Sequence, residues 1–482
     1  MIPVTHRQGQ TIAVFGMARS GLATAQALAA GGAVAHVWDD GEKGRQAATD
    51  AGLTLVDLRA ADWATYSALV LAPGVPLTHP VPHWTVQAAQ AAGVPIIGDT
   101  ELFFAERTHL GCQHDCPVLA ITGTNGKSTT TALTTHLLHD ADRPVSMGGN
   151  IGNAVLSLPA FAAGQAYVLE LSSYQIDLTP NLTATAAALL NLTPDHLDRH
   201  GTMANYAAVK ARIFADLPAG GIAAISIDDA HCAAIAKSLP PSLAARHISV
   251  QQPVTDGVYA DAGRLIDMRA GHPGSELDLA HAPTLPGRHN AQNAAFAWTL
   301  ARAAGAQDAE VQRGLETFPG LAHRLELIAR AEGILFVNDS KATNADAARM
   351  ALMAFPGCHW IVGGRAKDGG VADLSDLFGQ VGRAYLIGEA APQIAEQLAG
   401  RVPFVHCETL EAATRAAFDA ARANAGQRTS PGAAPGAVVL SPACASFDQF
   451  PDFEQRGDAF KRAVAQVLGA PLTDYPPRVT AK

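Results

Sequence analysis

Disulfide scaffolding is the first architecture this sequence excludes. Six cysteines are scattered over 482 residues with no framework of spacings, which points to a reducing compartment, the cytoplasm. No uninterrupted apolar run is long enough to span a bilayer, and the opening Met1-Ile2-Pro3-Val4-Thr5-His6-Arg7-Gln8 holds no signal-peptide core, so neither a membrane partner nor export is expected. Basic residues are in deficit too. The 34 Lys and Arg stand against 44 Asp and Glu, a net charge of -10, which argues against broad nucleic-acid binding but allows a local anion site. A zinc reading of Cys112-Gln113-His114-Asp115-Cys116 lacks a second pair of thiols, and an interdomain linker is the better reading. What remains is an ordinary globular composition, 48% hydrophobic and 16% charged, at a length that suggests about three domains.

One stretch organises the rest. The apolar run Pro117-Val118-Leu119-Ala120-Ile121 reads as a buried strand and leads into Thr122-Gly123-Thr124-Asn125-Gly126-Lys127-Ser128-Thr129-Thr130, followed by a helical segment to Leu138. Strand, glycine turn, Lys-Ser and helix form a cradle for a nucleotide triphosphate. Backbone N–H groups close around phosphate oxygens, Lys127 reaches the outer phosphates, and the Ser128 hydroxyl suits Mg²⁺. The loop is a short form, because Ile121 stands where the usual phosphate-loop pattern has its first glycine. Two later strands aim polar residues at the same edge. Ala166-Tyr167-Val168-Leu169 ends in Glu170-Leu171-Ser172-Ser173-Tyr174-Gln175, and Ala186 to Leu192 runs into Thr193-Pro194-Asp195-His196-Leu197-Asp198-Arg199-His200. A carboxylate at a parallel strand's C-terminal tip is placed to bind a nucleotide's Mg²⁺. The helix from Met203 to Phe214 sets Tyr206 and Lys210 on one face, where Lys210 by itself reads as a solvated helix lysine.

Both ends of the chain alternate strands and helices as well. Thr11 to Phe15 is a strand ending in the turn Gly16-Met17-Ala18-Arg19-Ser20-Gly21, and a second strand ends at Asp39-Asp40. Ala18 replaces the middle glycine of a dinucleotide fingerprint, which argues against NAD; a nucleotide-like ligand is favoured over a purely structural turn, and a dehydrogenase reading is weak. Leu69 to Ala72 feeds a ligand-facing loop at Gly74. Beyond a β-rich patch at 250–285, Asn290 and Asn293 share a helix face, and Phe318 to Arg324 is turn-rich. Four further strands then end in polar or glycine-rich loops, making one ligand edge. The proline-rich last dozen residues are expected to fray. The expected division is 1–112, 113–319 and 320–482. Three layers are more than a simple nucleotidase needs. They suit a ligation in which ATP phosphorylates a carboxylate and an amine attacks the acyl phosphate, with closure bringing the partners together.

Taken together, Gly123-Thr124-Asn125-Gly126-Lys127-Ser128, Glu170-Leu171-Ser172-Ser173, Asp195 to His200, Asp339-Ser340-Lys341-Ala342-Thr343-Asn344 and Ser441 to Phe450 resemble the Mur ligases of peptidoglycan synthesis over nearly the whole chain. The last run is similar to the glutamate-adding branch. The resemblance implies an α/β fold of three domains: a Rossmann-like N-terminal domain for a UDP-linked muramoyl-alanine substrate, a central P-loop ATPase-type domain, and a Rossmann-like C-terminal domain for D-glutamate. It implies ATP and two Mg²⁺ ions as cofactors, and a monomer suffices. Catalytic roles fall to Lys127, Glu170, His196 and Lys210, the last matching a lysine that CO₂ carbamylates, which reverses the solvated reading. Metal ligands would be Ser128, Glu170, His196 and carbamylated Lys210. ATP would meet Gly123, Thr124, Asn125, Gly126, Lys127, Ser128, Thr129, Asn290, Asn293, Arg324, Asp339 and Lys341. The UDP substrate would meet Gly16, Ser20, Gly21, Asp39, Asp40, Gly74, Asn150, Ser172, Ser173, Gln175 and His196. Glutamate would meet Thr343, Lys367, Ser446, Phe447 and Phe453. Folylpolyglutamate synthases share the loop and fold but need no N-terminal uridine-nucleotide domain, and a non-catalytic binding module has no use for Lys127, Glu170, His196 and Lys210 together.

Overall fold

The computed structural model describes residues 1–367, 369–425 and 436–472; the stretch from residue 473 that was expected to fray lies outside them. The chain divides into two compact units, Met1–Ala280 with Asn290–Leu315, and His281–His289 with Glu316–Lys482.

The first unit holds two sheets. Strands β1 (Thr11–Phe15), β2 (Val34–Trp38), β3 (Thr54–Leu55), β4 (Ala68–Leu71) and β5 (Ile96–Ile97) form a parallel sheet in the order β3-β2-β1-β4-β5. Its order reverses on either side of β1, and the crevice at such a reversal is where open parallel sheets bind ligands. The second sheet contains β6 (Val118–Thr122), β7 (Val145–Gly149), β8 (Ala166–Glu170), β9 (Ala186–Leu189), β10 (Ile222–Ser226), β11 (Ala244–Ser249), β12 (Gly257–Asp261), β13 (Arg264–Arg269) and β14 (His272–Asp278). Their order is β14-β13-β12-β11-β10-β9-β6-β8-β7, parallel from β7 to β12 and antiparallel through the two hairpins at the far edge. Central strands such as Val118-Leu119-Ala120-Ile121 and Ala186-Ala187-Ala188-Leu189 are buried throughout. Helices cover both faces, so these strands read as apolar runs and not as alternating ones.

The helix Asp99–His109 explains why the first two sheets share one unit. It is buried on most sides, and Leu102, Phe103 and Phe104 join one apolar core with Val14 of the first sheet and Val118 and Leu189 of the second. Its polar groups are satisfied across that seam. Glu101 accepts from Asn181 N and Nδ2 (2.9 and 2.7 Å), and Arg107 donates to the carbonyls of Cys116 and Thr183 (2.8 and 2.6 Å). The Cys112–Cys116 segment is thus a clamped turn leading from this helix into β6.

The second unit is one sheet of β15 (Glu326–Ala331), β16 (Ile334–Asn338), β17 (Cys358–Gly363), β18 (Val381–Ile387), β19 (Phe404–Glu408) and β20 (Gly436–Leu440). The order is β15-β16-β20-β17-β18-β19, all parallel except β15. Two apolar cores, one around Trp360 and Leu386 and one around Phe336 and Phe418, fill its two faces. Asn344 and Asp452 start their helices by accepting from Ala347 N (2.8 Å) and Gln455 N (2.7 Å), as N-cap residues do.

Candidate functional site

The phosphate loop follows β6 and opens the helix Lys127–Asp140. Gly126 has φ 82°, and a side chain there would strike Asn293 Oδ1 at 2.4 Å. Glycine is therefore required by both backbone sign and space. Lys127 folds back so that Nζ donates to the carbonyls of Gly123 (2.9 Å) and Thr124 (2.7 Å). Asn191, beyond β9, fixes the loop from outside. Its side chain accepts from Asn125 N (2.8 Å) and donates to Asn125 O (3.1 Å), and its carbonyl accepts from Thr124 N (2.9 Å). Nothing in the residue pattern marked Asn191; the one available sign was its place at the end of an apolar strand.

Parallel pairing delivers the carboxylate. Ile121 of β6 is in register with Glu170 of β8, which is 2% exposed. Glu170 Oε1 accepts from Asn150 Nδ2 at 2.7 Å, while Oε2 is buried with no hydrogen-bond partner. A bare carboxylate oxygen at the tip of β8, and a buried Ser128 in the first turn of the helix after neighbouring β6, are oxygen donors of the kind a hard cation takes. Among the described residues no group of three or more His, Cys, Asp or Glu is arranged to hold a metal.

Lys210 is the main correction to the residue-level reading. It is 1% exposed, because its helix face with Tyr206 packs onto the loop. Nζ donates to Thr122 Oγ1 (3.0 Å) and Gly123 O (2.9 Å) and lies 5.0 Å from the centre of the Tyr206 ring. Burial, and after it the charge of Lys127, push its ammonium well below the ordinary range, against the pull of Asp195 and Glu170. Two lysines thus converge on one carbonyl, that of Gly123.

Around this centre lies an aromatic and imidazole rim. His196 precedes the short helix Leu197–His200 with φ 52° and does not cap it with its side chain. Its Nδ1 is 2.8 Å from Tyr174 Oη. Burial, with Lys127 and Lys210 adding to it, holds its pKa down against Asp195. His200 Nε2 lies 2.9 Å from Ser173 Oγ, and burial, then the neighbouring cations, push it down to about 4. Ser172 and Gln175 form a reciprocal capping box on the next short helix, which holds their side chains at the rim. Arg199, whose role the sequence left open, stacks 4.4 Å from the centre of the Tyr174 ring and donates to Gly74 O (2.9 Å) and Val75 O (2.8 Å). It therefore ties the loop after β4 to the rim of the phosphate loop.

At the first sheet, a side chain on Gly21 would lie 1.8 Å from Gly16 O, so the helix carrying Ser20 approaches β1 only because Gly21 has none. Asp39 accepts from Met17 N (2.6 Å) and Gly41 N (2.7 Å). Asp40 accepts from Trp84 Nε1 (3.0 Å), His83 Nε2 lies 3.2 Å away, and Arg59 pairs with it. Burial raises its pKa, but those hydrogen bonds and the Arg59 charge outweigh burial and hold it low.

On the helix Arg288–Ala303, Asn293 Nδ2 donates to Asn290 Oδ1 (3.1 Å), and Asn293 Oδ1 accepts from Thr130 Oγ1 (3.2 Å). This places the asparagine pair against the phosphate-loop helix. The other residues expected at ATP, Arg324, Asp339 and Lys341, lie in the second unit. Asp339 is buried and pushed up to about 7 by that burial, against Ser441 Oγ (2.7 Å) and Leu325 N (3.1 Å) donating to it and the nearby Arg324 charge. Lys341 Nζ sits 5.3 Å from the centre of the Phe453 ring. Arg456, unmarked in the sequence, is buried. It donates to Ser340 O (2.8 Å) and Cys444 O (3.0 Å), locking the loops after β16 and β20 together. Arg365 and Ala445 exchange backbone hydrogen bonds at 2.9 Å, so the loop with exposed Lys367 runs beside the one with buried Ser446 and Phe447, which is 65% exposed. Thr343 follows Lys341 on the loop after β16, its N–H donating to Lys341 O at 2.9 Å.

Two family models match the chain: the Mur ligase middle domain over residues 121–301 and the Mur ligase, glutamate ligase domain over residues 323–442. The UDP-N-acetylmuramoylalanine--D-glutamate ligase of Brucella abortus (strain 2308) is 50% identical over 471 residues, 97% of this chain and 98% of that one. The protein of the same name from Phenylobacterium zucineum is 50% identical over 472 residues, with 97% and 98% covered. Among solved structures, MurC of Thermotoga maritima superposes with a TM-score of 0.54 at 17% identity, covering 95% of this chain and 99% of that one. MurF of Acinetobacter baumannii gives 0.55 at 19% identity, covering 78% and 82%. At such identities the structures speak for the fold alone.

Proposed function

Because the chain belongs to the Mur ligase family, we propose that it adds D-glutamate to UDP-N-acetylmuramoyl-L-alanine at the expense of ATP, in the synthesis of peptidoglycan precursors. The alanyl carboxylate attacks the γ-phosphorus and ADP leaves; the glutamate amine then attacks the acyl carbon, phosphate leaves, and the amide forms. The observation that carries this reading is the pair Lys127 and Lys210 on Gly123 O beside Glu170. Lys127 lies on the loop carbonyls where an incoming phosphate would meet it, and its charge would offset the negative charge of the transferring group.

Mg²⁺ suits these donors: Ser128 and Glu170 would hold one ion through oxygen, and the His196 nitrogen with a carbamylated Lys210 would hold the other. Bound there, it would supply charge neutralisation at the phosphates. A carbamate forms only from a neutral amine, and burial drives Lys210 in that direction. Asn150 keeps Glu170 oriented. We assign Gly16, Ser20, Gly21, Asp39, Asp40, Gly74, Ser172, Ser173, Gln175 and His196 to the UDP substrate, and Thr343, Lys367, Ser446, Phe447 and Phe453 to glutamate. The division 1–112, 113–319 and 320–482 would give one lobe to each reactant, in a cytoplasmic monomer. No helix among the described residues is long and apolar enough to cross a membrane.

The test is to supply UDP-N-acetylmuramoyl-L-alanine, glutamate, ATP and Mg²⁺ and follow phosphate and amide product together. Equal yields, obtained with the D and not the L enantiomer, are expected. Phosphate release that ignores omission of either co-substrate would overturn a ligase. Lys367→Ala is expected to raise the glutamate KM about tenfold while leaving the ATP KM in place; equal rises would remove Lys367 from the glutamate pocket.

A further inference from the structure

At the far edge of the second sheet lies a cavity of about 470 Å³, lined in part by Arg246, Arg269, Arg302, Asp267 and Trp298. One of its lining residues, Asp267 of β13, is in unbroken register with Val258 of β12 and is 1% exposed, on the same strand face as buried Leu265 two residues before it. Three guanidinium groups from three elements meet this one carboxylate. Arg246 of β11 bonds Oδ1, Arg269 Nε lies 3.0 Å from Oδ2, and Arg302 Nη1 of the helix Arg288–Ala303 lies 2.9 Å from Oδ2.

A structural staple accounts for only part of this. Arg246 is fully employed, since it also donates to Met268 O (3.0 Å) and Gly257 O (3.3 Å). Arg302 is further balanced by Asp308, 3.4 Å from its Nε. Arg269 spends one of its five N–H groups on Asp267, its side chain is 59% exposed, and its terminal nitrogens have no other partner among the described residues. The second carboxylate of the wall, Asp256, accepts from Ala270 N through Oδ1 at 2.7 Å. The wall therefore offers the unspent fork of Arg269, with Ile222 half-buried beside it and Val258 and Trp298 buried behind. A guanidinium fork matches carboxylate and phosphate geometry, and the volume lies within the range of small-molecule sites.

We propose that this cavity binds a small organic anion, a carboxylate or phosphate monoester, at a site separate from the phosphate loop. The separation is built into the helix that serves both. Asn293 touches Thr130 near one end, and Arg302 stands nine residues further on, about 14 Å along the axis.

The test is calorimetric titration of the full chain, its phosphate loop occupied by Mg-ADP, with phenyl phosphate and with benzoate as probes. Saturable binding of at least one probe is expected, weakened at least about tenfold by Arg269→Glu and unchanged by Lys127→Ala. Arg269 is exposed enough for the substitution to leave the fold intact, which near-UV circular dichroism verifies. Failure of both probes to saturate, or binding lost in Lys127→Ala and kept in Arg269→Glu, would overturn the proposal. The readout is independent of ligase turnover, so it stands or falls separately from the proposed reaction.

Discussion

Two strand–glycine–helix turns in the first unit invite comparison, because they share a plan and carry opposite charge. After β1, the turn Gly16–Gly21 leads into the helix Arg19–Ala30, and Asp39 occupies the Met17 amide. After β6, the turn Gly123–Gly126 leads into Lys127–Asp140, and the Lys127 and Lys210 ammonium groups crowd its carbonyls. An amide already held by a carboxylate repels phosphate, so the first turn suits a neutral or hydrogen-bonding part of a ligand such as a nucleoside. The second suits polyphosphate. Under the proposed function the same backbone device would serve two ligands, with the charged side chains around each turn distinguishing them.

The largest expected effect comes from removing the cation that separates the two turns. Lys127→Ala should lower kcat/KM by about 10³-fold, whereas Arg19→Ala, in the same place after the first turn, should change it by less than about threefold. Equal losses measured by steady-state kinetics would break the comparison. Lys210→Ala should cost about 10²-fold, with partial rescue by short carboxylic acids, which replace the oxygen anion that a carbamate would supply. Unchanged turnover would remove Lys210 from the phosphate-loop chemistry. At the acidic turn, Asp40→Ala should raise the KM for the UDP substrate about tenfold and leave that for ATP unchanged.

The smallest effect is in pH. His200 beside the cationic turn falls from 6.5 to about 4, so the folded chain takes up fewer protons than the unfolded one between those values. Its contribution is present above pH 6.5 and is lost as pH falls toward about 4, no more than about 3 kcal/mol in all. Asp40, held below 3.8, keeps its contribution until pH drops under that value. Hydrogen exchange on descending pH should therefore loosen the rim around His200 before the loop around Asp40, and His200→Asn should flatten the first phase.

Much of this was legible from residue order. Apolar strands ending in glycine or carboxylate fixed the position of the phosphate loop, Glu170 at a strand tip and the alternation of the third sheet, since burial of both sheet faces forces continuous apolar runs. The three-domain Mur ligase fold followed from motifs spread across the chain. Lys210 shows where local reading stops. Its helix spacing gave the correct face with Tyr206 but the wrong solvent exposure, because exposure depends on what that face packs against. Asn191, Arg199 and Arg456 escaped notice for a related reason, each bonding backbone carbonyls distant in sequence that no spacing rule connects. The sequence by itself determined which strands are buried and which turns are glycine-bound, both consequences of short-range sterics and hydrophobic pattern. Only tertiary structure decided which charges share a carbonyl, which carboxylate oxygen is left bare and which three arginines meet one buried aspartate, because those depend on strand register and helix docking across many residues.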